Sequence, residues 1–271
     1  MTPTLELPRI SSASLKDWDT CKRRFALRYR VGRYWPGPQA RDLDPEASER
    51  ILTGQVFHRM VQQHALGLDV TPVLEAEKAS LSRLEQLWGM FARSTHAKPP
   101  ANSWTEAPLH FQFKGVPFMV RFDRLVKEGD NWCILDWKTG KENRAILQAS
   151  WQTRLYRFAL VEAGHVYHDG EPIQPENIRM VYWDVNRGRE EAFAYDGASY
   201  ETDRRDFERL TEAVMAPFDE GAPDDPRFPR PLDPTVCARC AFDSYCNPTH
   251  ARRDEAERTL PLPSFSLEDR A

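Results

Sequence analysis

The sequence predicts an α/β domain in which helices cover a mixed β-sheet. Two observations lead to this fold class. Three consecutive segments resemble strands of a meander, at 106–113, 117–126 and 131–137, with turn residues between them. Helical periodicity precedes and follows this meander, and a second pair of strand candidates lies near 177–184 and 190–195. This mixed order of helices and strands fits one domain built on a covered sheet.

The helical segments are defined by apolar spacing and by the breaks between them. Leu52, Val56 and Met60 form one stripe, which predicts that this side of the second helix packs inward. Predicted helices lie at 11–33, 47–66, 73–94, 144–163 and 199–217. No linker interrupts the chain, so we expect a single domain over 1–271, with a charged and loose tail at 251–271.

Composition narrows the class of protein. Hydrophobic residues make up 41% of the chain and charged residues 29%, which is ample for a sizeable core. The 37 Lys and Arg residues are outnumbered by 41 Asp and Glu residues, giving a net charge of −4, so a nucleic-acid site has to come from local clustering. Neither a signal-peptide pattern nor an apolar run of roughly 20 residues is present. We therefore expect a cytoplasmic protein that does not enter a membrane.

Two acids and a lysine lie on the second and third predicted strands, with Asp123 near the middle of the second, and Asp136 and Lys138 at the end of the third. Asp136 and Lys138 are two residues apart and share one face of a strand, and a hairpin can bring Asp123 beside them. Paired carboxylates bind a hard cation such as Mg²⁺, and a nearby ammonium can orient water or stabilise a phosphate. A solvated Asp–Lys ion pair is the alternative, but Trp132 and Ile134 indicate a buried strand, where charges need a reason.

The cysteines form a second cluster. Cys237, Cys240 and Cys246 have the spacing C-x2-C-x5-C, which is typical of metal ligation by thiolates. Cys21 is far away in sequence and is the candidate for a fourth ligand, whereas Cys133 lies in a buried strand and is interpreted as a core residue. From the residues alone, a Cys₄ zinc site and an iron–sulfur cluster both remain open.

Two weaker patterns complete the set of candidate residues. His58 lies on the second helix, where a lone histidine is usually a packed residue, and Gln152 and Tyr156 share one helix face after the D-x-K triplet. Arg23 and Arg24 belong to a basic segment interleaved with aromatic residues. Such a mixture suits single-stranded DNA through backbone contacts and stacking, although a solvated charged face is the alternative.

Taken together, these segments resemble a known family. The stretches 106–111, 118–124 and 134–140 are similar to the nuclease core of the PD-(D/E)XK superfamily, in particular RecB, AddB and the CRISPR-associated RecB-like exonucleases. The resemblance implies a restriction-endonuclease-like fold with its catalytic core in 106–163. Val120 departs from the glycine that the family usually has three residues before the first acid.

The resemblance also implies roles for individual residues. His58, Asp123 and Asp136 would bind Mg²⁺ or Mn²⁺, and Lys138 would orient the attacking water. Gln152 and Tyr156 match a motif beside the active site, where contact with DNA is expected, as it is for Arg23 and Arg24. Glu106 matches an acid often found at the start of the first core strand.

For the cysteines, the resemblance favours a [4Fe–4S] cluster over zinc. The ligands would be Cys21, Cys237, Cys240 and Cys246, so that the cluster joins the terminal segments 11–35 and 237–246. These features predict a metal-dependent deoxyribonuclease, more exonuclease than endonuclease, acting on single-stranded DNA or free ends in repair, recombination, or phage or CRISPR DNA processing. A cluster-stapled DNA-binding subunit without essential catalysis is the alternative. Because the chain has no ATP-binding G-x-x-x-x-G-K-[ST] loop, a helicase or recombination partner would have to act in trans.

Overall fold

One mixed β-sheet organises the molecule. The structure is a computed structural model that describes residues 7–33, 45–140, 143–221, 225–238 and 240–247. The sheet has the order β1–β2–β3–β4–β5, in which only β3 and β4 pair in parallel. The strands are Ser103–Phe113 (β1), Val116–Glu128 (β2), Asn131–Lys138 (β3), Ile178–Asp184 (β4) and Arg189–Ala194 (β5). The predicted α/β fold with a mixed sheet flanked by helices is therefore confirmed.

Helices surround this sheet and make the crossover that the parallel pair requires. The described residues contain the α-helices Ser12–Thr20 (α1), Lys22–Tyr29 (α2), Pro45–Ala65 (α3), Thr71–Glu77 (α4), Leu84–Ala92 (α5), Arg144–Ala149 (α6), Trp151–Ala163 (α7), Gly197–Met215 (α8), Pro234–Ala238 (α9) and Asp243–Cys246 (α10). The crossover from β3 to β4 consists of α6 and α7. Within the described ranges, no helix combines the length and apolar character that a membrane span needs.

Three segments predicted as single helices are each divided in two. The segment 11–33 breaks at Cys21, whose backbone is extended, with φ −163° and ψ 108°. The Sγ atom of Cys21 accepts the backbone N–H of Arg24 at 3.3 Å and so caps α2. The segment 144–163 breaks at Ser150, which caps α7, and 73–94 separates into α4 and α5. Apolar spacing continues across such breaks, so periodicity alone does not reveal them.

The core has two layers, one on each side of the sheet. Strand β3 alternates between them: Trp132 and Ile134 pack on the side of α1, α2, α7 and α8, which we call the α7 face. Cys133, Leu135 and Trp137 pack on the side of α3 and α5, the α3 face. Because both faces of β3 are covered, its charged residues lie at the end of a buried strand.

The prediction that Leu52, Val56 and Met60 all face inward on α3 is wrong for one of the three residues. Val56 and Met60 are buried as predicted, but Leu52 is exposed and Phe57 takes an inward place on the α3 face. The face that α3 presents to α5 and the sheet is therefore rotated relative to the predicted stripe. The predicted loose tail 251–271 and residues 34–35 lie outside the described residues, and the extent of the domain over 1–271 stays a prediction.

The aromatic pair Phe158–Phe207 offers a test of the α7 face. Both rings are fully buried, and their centroids are 4.7 Å apart between α7 and α8. We expect Phe158→Ala to lower the free energy of unfolding by about 3–5 kcal/mol, because it leaves a cavity where two helices meet the sheet. Leu66→Ala, at an exposed position, should change it by less than about 0.5 kcal/mol. Urea unfolding of both variants measures the difference, and equal effects would contradict this account of the core.

Candidate active site

The alternation of side chains shifts by one residue in both strands of the β1–β2 hairpin. In β2, Val120 and Phe122 face the α7 side of the core, as alternation requires, but so does Leu125, three residues later. The neighbouring pairs of the ladder leave Glu106 of β1 opposite Asp123 of β2, with no regular bridge between them. The shift therefore occurs at the two acidic residues and brings their side chains to one place.

Glu106 adopts a backbone conformation that is rare for a residue with a side chain. Its φ angle is +52°, in the left-handed region. The Glu106 carboxylate lies 3.0 Å from Nε of Arg121, and burial, followed by the charge of Asp123, raises the pKa of Glu106. Backbone strain of this kind persists where the surrounding structure fixes it, and it is concentrated at functional sites.

His58 completes a cluster of three potential ligands. One ligand atom from each of His58, Glu106 and Asp123 lies within 4.8 Å of the others. Nδ1 of His58 is 3.2 Å from Oδ2 of Asp123. Burial lowers the pKa of His58, but the Asp123 carboxylate and the other acids outweigh burial and raise this pKa to about 9.

A glycine allows α3 to bring His58 this close to the sheet. A Cβ atom on Gly54 would lie 3.1 Å from Oγ1 of Thr139, just after β3. That distance is tighter than ordinary van der Waals contact, so a side chain there would push α3 and the end of β3 apart. The spacing between Gly54 and His58 places both residues on the helix side that faces the site.

Asp136 and Lys138 lie beside this cluster and share a partner on α7. Gln152 donates its Nε2–H to Oδ1 of Asp136 at 2.5 Å and accepts from Nζ of Lys138 at 2.8 Å. Oδ2 of Asp136 also lies 2.8 Å from Nζ of Lys138, as an ion pair whose angles do not make a hydrogen bond. Burial, followed by the charge of Asp123, raises the pKa of Asp136 to about 6.

Several residues that the sequence did not single out support these groups. The backbone N–H of Trp137 donates to Oδ2 of Asp123 at 2.8 Å and fixes that carboxylate relative to β3. The ring of Tyr182 lies 4.8 Å from Nζ of Lys138, on the strand paired with β3. Strand pairing across the crossover brings Tyr182 here, and no local spacing in the sequence reveals that pairing.

The donor set fits a divalent cation. It consists of carboxylate oxygens and one imidazole, which hard cations and Mn²⁺ accept. Oδ2 of Asp136 is buried and lies 2.8 Å from Nζ of Lys138, so this carboxylate already has one positive charge beside it. Of the predicted metal ligands, His58 and Asp123 lie in the tightest group, while Glu106 takes the third place there and Asp136 lies next to it.

Comparison with protein families identifies the superfamily of this chain. The sequence model of the PD-(D/E)XK nuclease superfamily matches residues 9–247. The chain belongs to the PD-(D/E)XK nuclease superfamily. Members of this superfamily use divalent metal ions, and the acidic group around His58 is a candidate place for one.

Solved structures similar to this superfamily member share little sequence with it. A "Putative exonuclease" from Eubacterium rectale is 10% identical, with a TM-score of 0.48, covering 78% of this chain and 80% of the other. The protein SSO0001 is 13% identical, with a TM-score of 0.33, covering 73% of this chain and 97% of the other. Among curated proteins, no match was found.

Away from the acidic site, four cysteines line one small cavity of this superfamily member. They are Cys21 at the start of α2 and Cys237, Cys240 and Cys246 near α9 and α10. All four are free thiols, and no three of these sulfur atoms lie within 4.8 Å of one another. Burial raises the pKa of Cys21 and of Cys246, so deprotonation of this group without a cation is disfavoured. Cys133 is buried on the α3 face of β3, as predicted for a core residue.

Arg23 and Arg24 of α2 have partners within the protein, and their predicted contact with DNA stays a prediction. Arg23 is 2% exposed, and its Nη2 donates to the backbone carbonyl of Glu220 at 3.0 Å. Arg24 forms a 2.7 Å ion pair with Asp17 and lines the cysteine cavity. Arg23 is therefore held inside the protein, whereas the Arg24 side chain stays partly exposed.

Gln152 and Tyr156 lie beside the acidic site, and their predicted contact with DNA stays a prediction. Gln152 bridges Asp136 and Lys138, as described above. Tyr156 is only 7% exposed and packs on the α7 face with Phe122, where burial and the charge of Asp136 raise its pKa. Gln152 therefore supports the acidic site directly, and Tyr156 packs next to it on the α7 face. Contact between Tyr156 and a base would require the Tyr156 ring to leave the core.

Metal binding by His58 predicts a measurable release of protons. With its pKa near 9, His58 is protonated at neutral pH and must lose that proton to bind a metal. Titration calorimetry with Mn²⁺ at about pH 7.5, in two buffers of different ionisation enthalpy, should detect about one proton released per ion. His58→Ala should abolish this release, and the exposed His110→Ala should leave it unchanged. Release that persists in His58→Ala would exclude His58 as its source.

Proposed function

We propose that this superfamily member is a metal-dependent DNA exonuclease of the RecB and AddB kind that acts on single-stranded ends. One observation carries this proposal: acids from β1, β2 and β3 converge with His58 of α3 and with Lys138. Within this group, His58 lies 3.2 Å from Asp123 and Lys138 lies 2.8 Å from Asp136. The Trp137 amide and Gln152 hold the Asp123 and Asp136 carboxylates in place. An intact set of this kind favours catalysis over the alternative of a DNA-binding subunit without it.

His58, Asp123 and Asp136, with Glu106 in addition, would hold Mg²⁺ or Mn²⁺. When bound, such an ion polarises the phosphodiester and lowers the pKa of the attacking water. Asp123 is fixed for this role by the Trp137 amide, and Asp136 by Gln152. The carboxylates are therefore oriented before a ligand arrives, which lowers the cost of ordering them.

Lys138 would orient the attacking water and stabilise negative charge that develops on the phosphate. Its Nζ atom has three hydrogens. One is donated to Gln152, and the contact with Oδ2 of Asp136 is not a well-formed hydrogen bond. At least one hydrogen therefore remains for a water molecule or a phosphate oxygen. Gln152 acts as a positioning residue because it holds both Lys138 and Asp136.

DNA with a free end is the proposed substrate, in repair, recombination, or phage or CRISPR DNA processing. This choice rests on the resemblance of the D-x-K region and the Q-x-x-x-Y spacing to RecB-like exonucleases. A motor that unwinds duplex DNA would be supplied in trans, since the sequence has no ATP-binding G-x-x-x-x-G-K-[ST] loop.

We further propose that Cys21, Cys237, Cys240 and Cys246 hold a [4Fe–4S] cluster. Their common cavity supports a shared metal group with thiolate ligands only. The choice of an iron–sulfur cluster over zinc rests on the resemblance to iron–sulfur RecB-like nucleases, in which one cysteine near the N-terminus and three near the C-terminus bind the cluster. Such a cluster would join α2 to the C-terminal segment.

The role of Lys138 is tested by removing its ammonium. We expect Lys138→Ala to cleave an end-labelled single strand about 10²–10³-fold more slowly, because a transition-state contact is lost. Its fold and DNA binding should be preserved. The matched control is Lys16→Ala, at an exposed position on α1, which should cleave at the normal rate.

A metal titration distinguishes Lys138 from Asp136. Asp136→Ala removes a proposed ligand, so a higher Mn²⁺ concentration should restore part of its activity, while Lys138→Ala should not recover. Near-normal cleavage by Lys138→Ala would remove the main support for this mechanism and favour the binding-subunit alternative. Substrates with blocked and free ends, compared in the same assay, separate exonuclease from endonuclease activity.

The cluster proposal predicts brown protein after anaerobic purification, with broad visible absorbance and about four irons per chain. Cys246→Ala should lose the colour and part of the stability. Cys133→Ala is the control and should keep the colour, because Cys133 is buried on the other side of the sheet. Colourless protein with one zinc ion per chain would refute the cluster and leave the nuclease proposal intact.

A further inference from the structure

A second polar cavity, of about 190 Å³, lies on the α3 face of the sheet. Strands β2, β3 and β4 form its floor, with the apolar side chains of Val126, Leu135 and Val181. Residues 95–100 contribute the opposite wall. Arg124 of β2 lines this cavity and is the residue that follows Asp123, whose carboxylate belongs to the acidic site. Asp123 and Arg124 are consecutive in sequence, but their side chains belong to two different sites.

Arg124 is buried without a carboxylate partner among the described residues. It is 1% exposed, and Nη1 donates to the backbone carbonyl of His96 at 2.7 Å. The guanidinium carbon lies 5.2 Å from the ring centre of Trp137. The Nε and Nη2 atoms are buried with no hydrogen-bond partner. Burial lowers the pKa of Arg124 to about 10, which still leaves it charged at neutral pH.

These two unsatisfied atoms form one edge of the guanidinium group. Nε–H and one Nη2–H point in the same direction, and this edge matches the two oxygens of a carboxylate or a phosphate. A buried charge without partners is costly, so folded proteins normally supply a counter-group. Here the unsatisfied edge belongs to a residue that lines a cavity large enough for a small molecule, and because both nitrogen atoms are buried, an anion reaches them when the guanidinium turns toward the cavity.

The rim of the cavity adds positive charge. Lys98 and Arg179 are exposed there, and Lys98 has no ion-pair partner among the described residues. Both acids of the rim already have partners. Glu128 lies 3.0 Å from Arg179, and Glu190 lies 2.9 Å from His96. Neither of these two contacts involves Arg124, so the cavity combines an apolar floor with a guanidinium that has two nitrogen atoms without a hydrogen-bond partner.

We propose that this cavity binds a small organic anion through a carboxylate or phosphate group that pairs with the Nε–Nη2 edge of Arg124. Lys98 attracts the anion from the rim, and the apolar floor contacts the body of the molecule. The site is distinct from the acidic cluster and does not depend on the nuclease activity.

Thermal unfolding of the full chain in metal-free buffer measures this binding directly. The probes are inorganic phosphate, acetate and a deoxynucleoside 5′-monophosphate, each compared with sodium chloride at equal ionic strength. A ligand that binds the folded state raises Tm with its concentration, and this dependence gives Kd. We expect at least one probe to stabilise the protein, and the order of the three identifies the anionic group.

Four variants locate the site. Arg124→Lys keeps the charge but loses the two-nitrogen edge, so Kd should rise at least about tenfold. Lys98→Ala, on the exposed rim, should weaken binding by a smaller factor and remains informative if Arg124→Lys folds poorly. Lys16→Ala, remote on α1, and Lys138→Ala, in the acidic site, should leave Kd unchanged.

Two results would overturn the proposal. One is the absence of stabilisation by all three probes, which would mean that water alone satisfies Arg124. The other is binding that is insensitive to Arg124→Lys and Lys98→Ala but lost in Lys138→Ala, which would assign the anion to the acidic site. Because the readout is Tm, neither result bears on whether the protein cleaves DNA.

Discussion

The buried carboxylate of Asp136 is the group on which the rest of the acidic site depends. It lies at the end of a strand covered on both faces, where water cannot stabilise its charge, and burial raises its pKa to about 6. Lys138 and Gln152 offset part of this cost through the contacts described above. Gln152 contacts Oδ1 and Lys138 contacts Oδ2, and because the site is buried, solvent screens the attraction between Asp136 and a cation only weakly. Burial at the end of this covered strand therefore favours positive charge beside Asp136, from Lys138 and from the proposed metal ion.

The hairpin contributes the opposite half of the site by departing from regular strand geometry. In a regular antiparallel pair, side chains alternate between the two faces of the sheet at every residue, including Glu106 and Asp123. The shift in alternation and the left-handed conformation of Glu106 instead occur at these two acids. Burial, followed by the nearby charge of Asp123, raises the pKa of Glu106. The strained backbone of Glu106 and its repulsion from Asp123 both cost free energy, which packing elsewhere in the domain has to offset.

Local sequence predicted the parts of this arrangement that follow from short-range periodicity. The strand bounds and the shared face of Asp136 and Lys138 depend only on the two-residue repeat. Glu106 could be matched by resemblance, but its position opposite Asp123 requires the register of the ladder. The burial of Arg23 could not be predicted, because it depends on a segment about 200 residues away, which no local pattern of charge reveals. The breaks at Cys21 and Ser150 were missed for a different reason: side-chain caps end a helix without interrupting its apolar spacing.

Helix α7 is where the cysteine-bearing segments and the acidic site meet. Its first residue, Trp151, donates its indole N–H to Asp19 of α1, two residues before Cys21. The next residue, Gln152, holds Asp136 and Lys138. Trp151 and Gln152 are adjacent, so a displacement of α1 would act on the residue next to the one that holds Asp136 and Lys138. A metal group bound by the four cysteines would restrain α2, and through Cys21 the end of α1, so its contribution would extend beyond joining the termini. It would also limit the motion of the glutamine that keeps Asp136 and Lys138 in register.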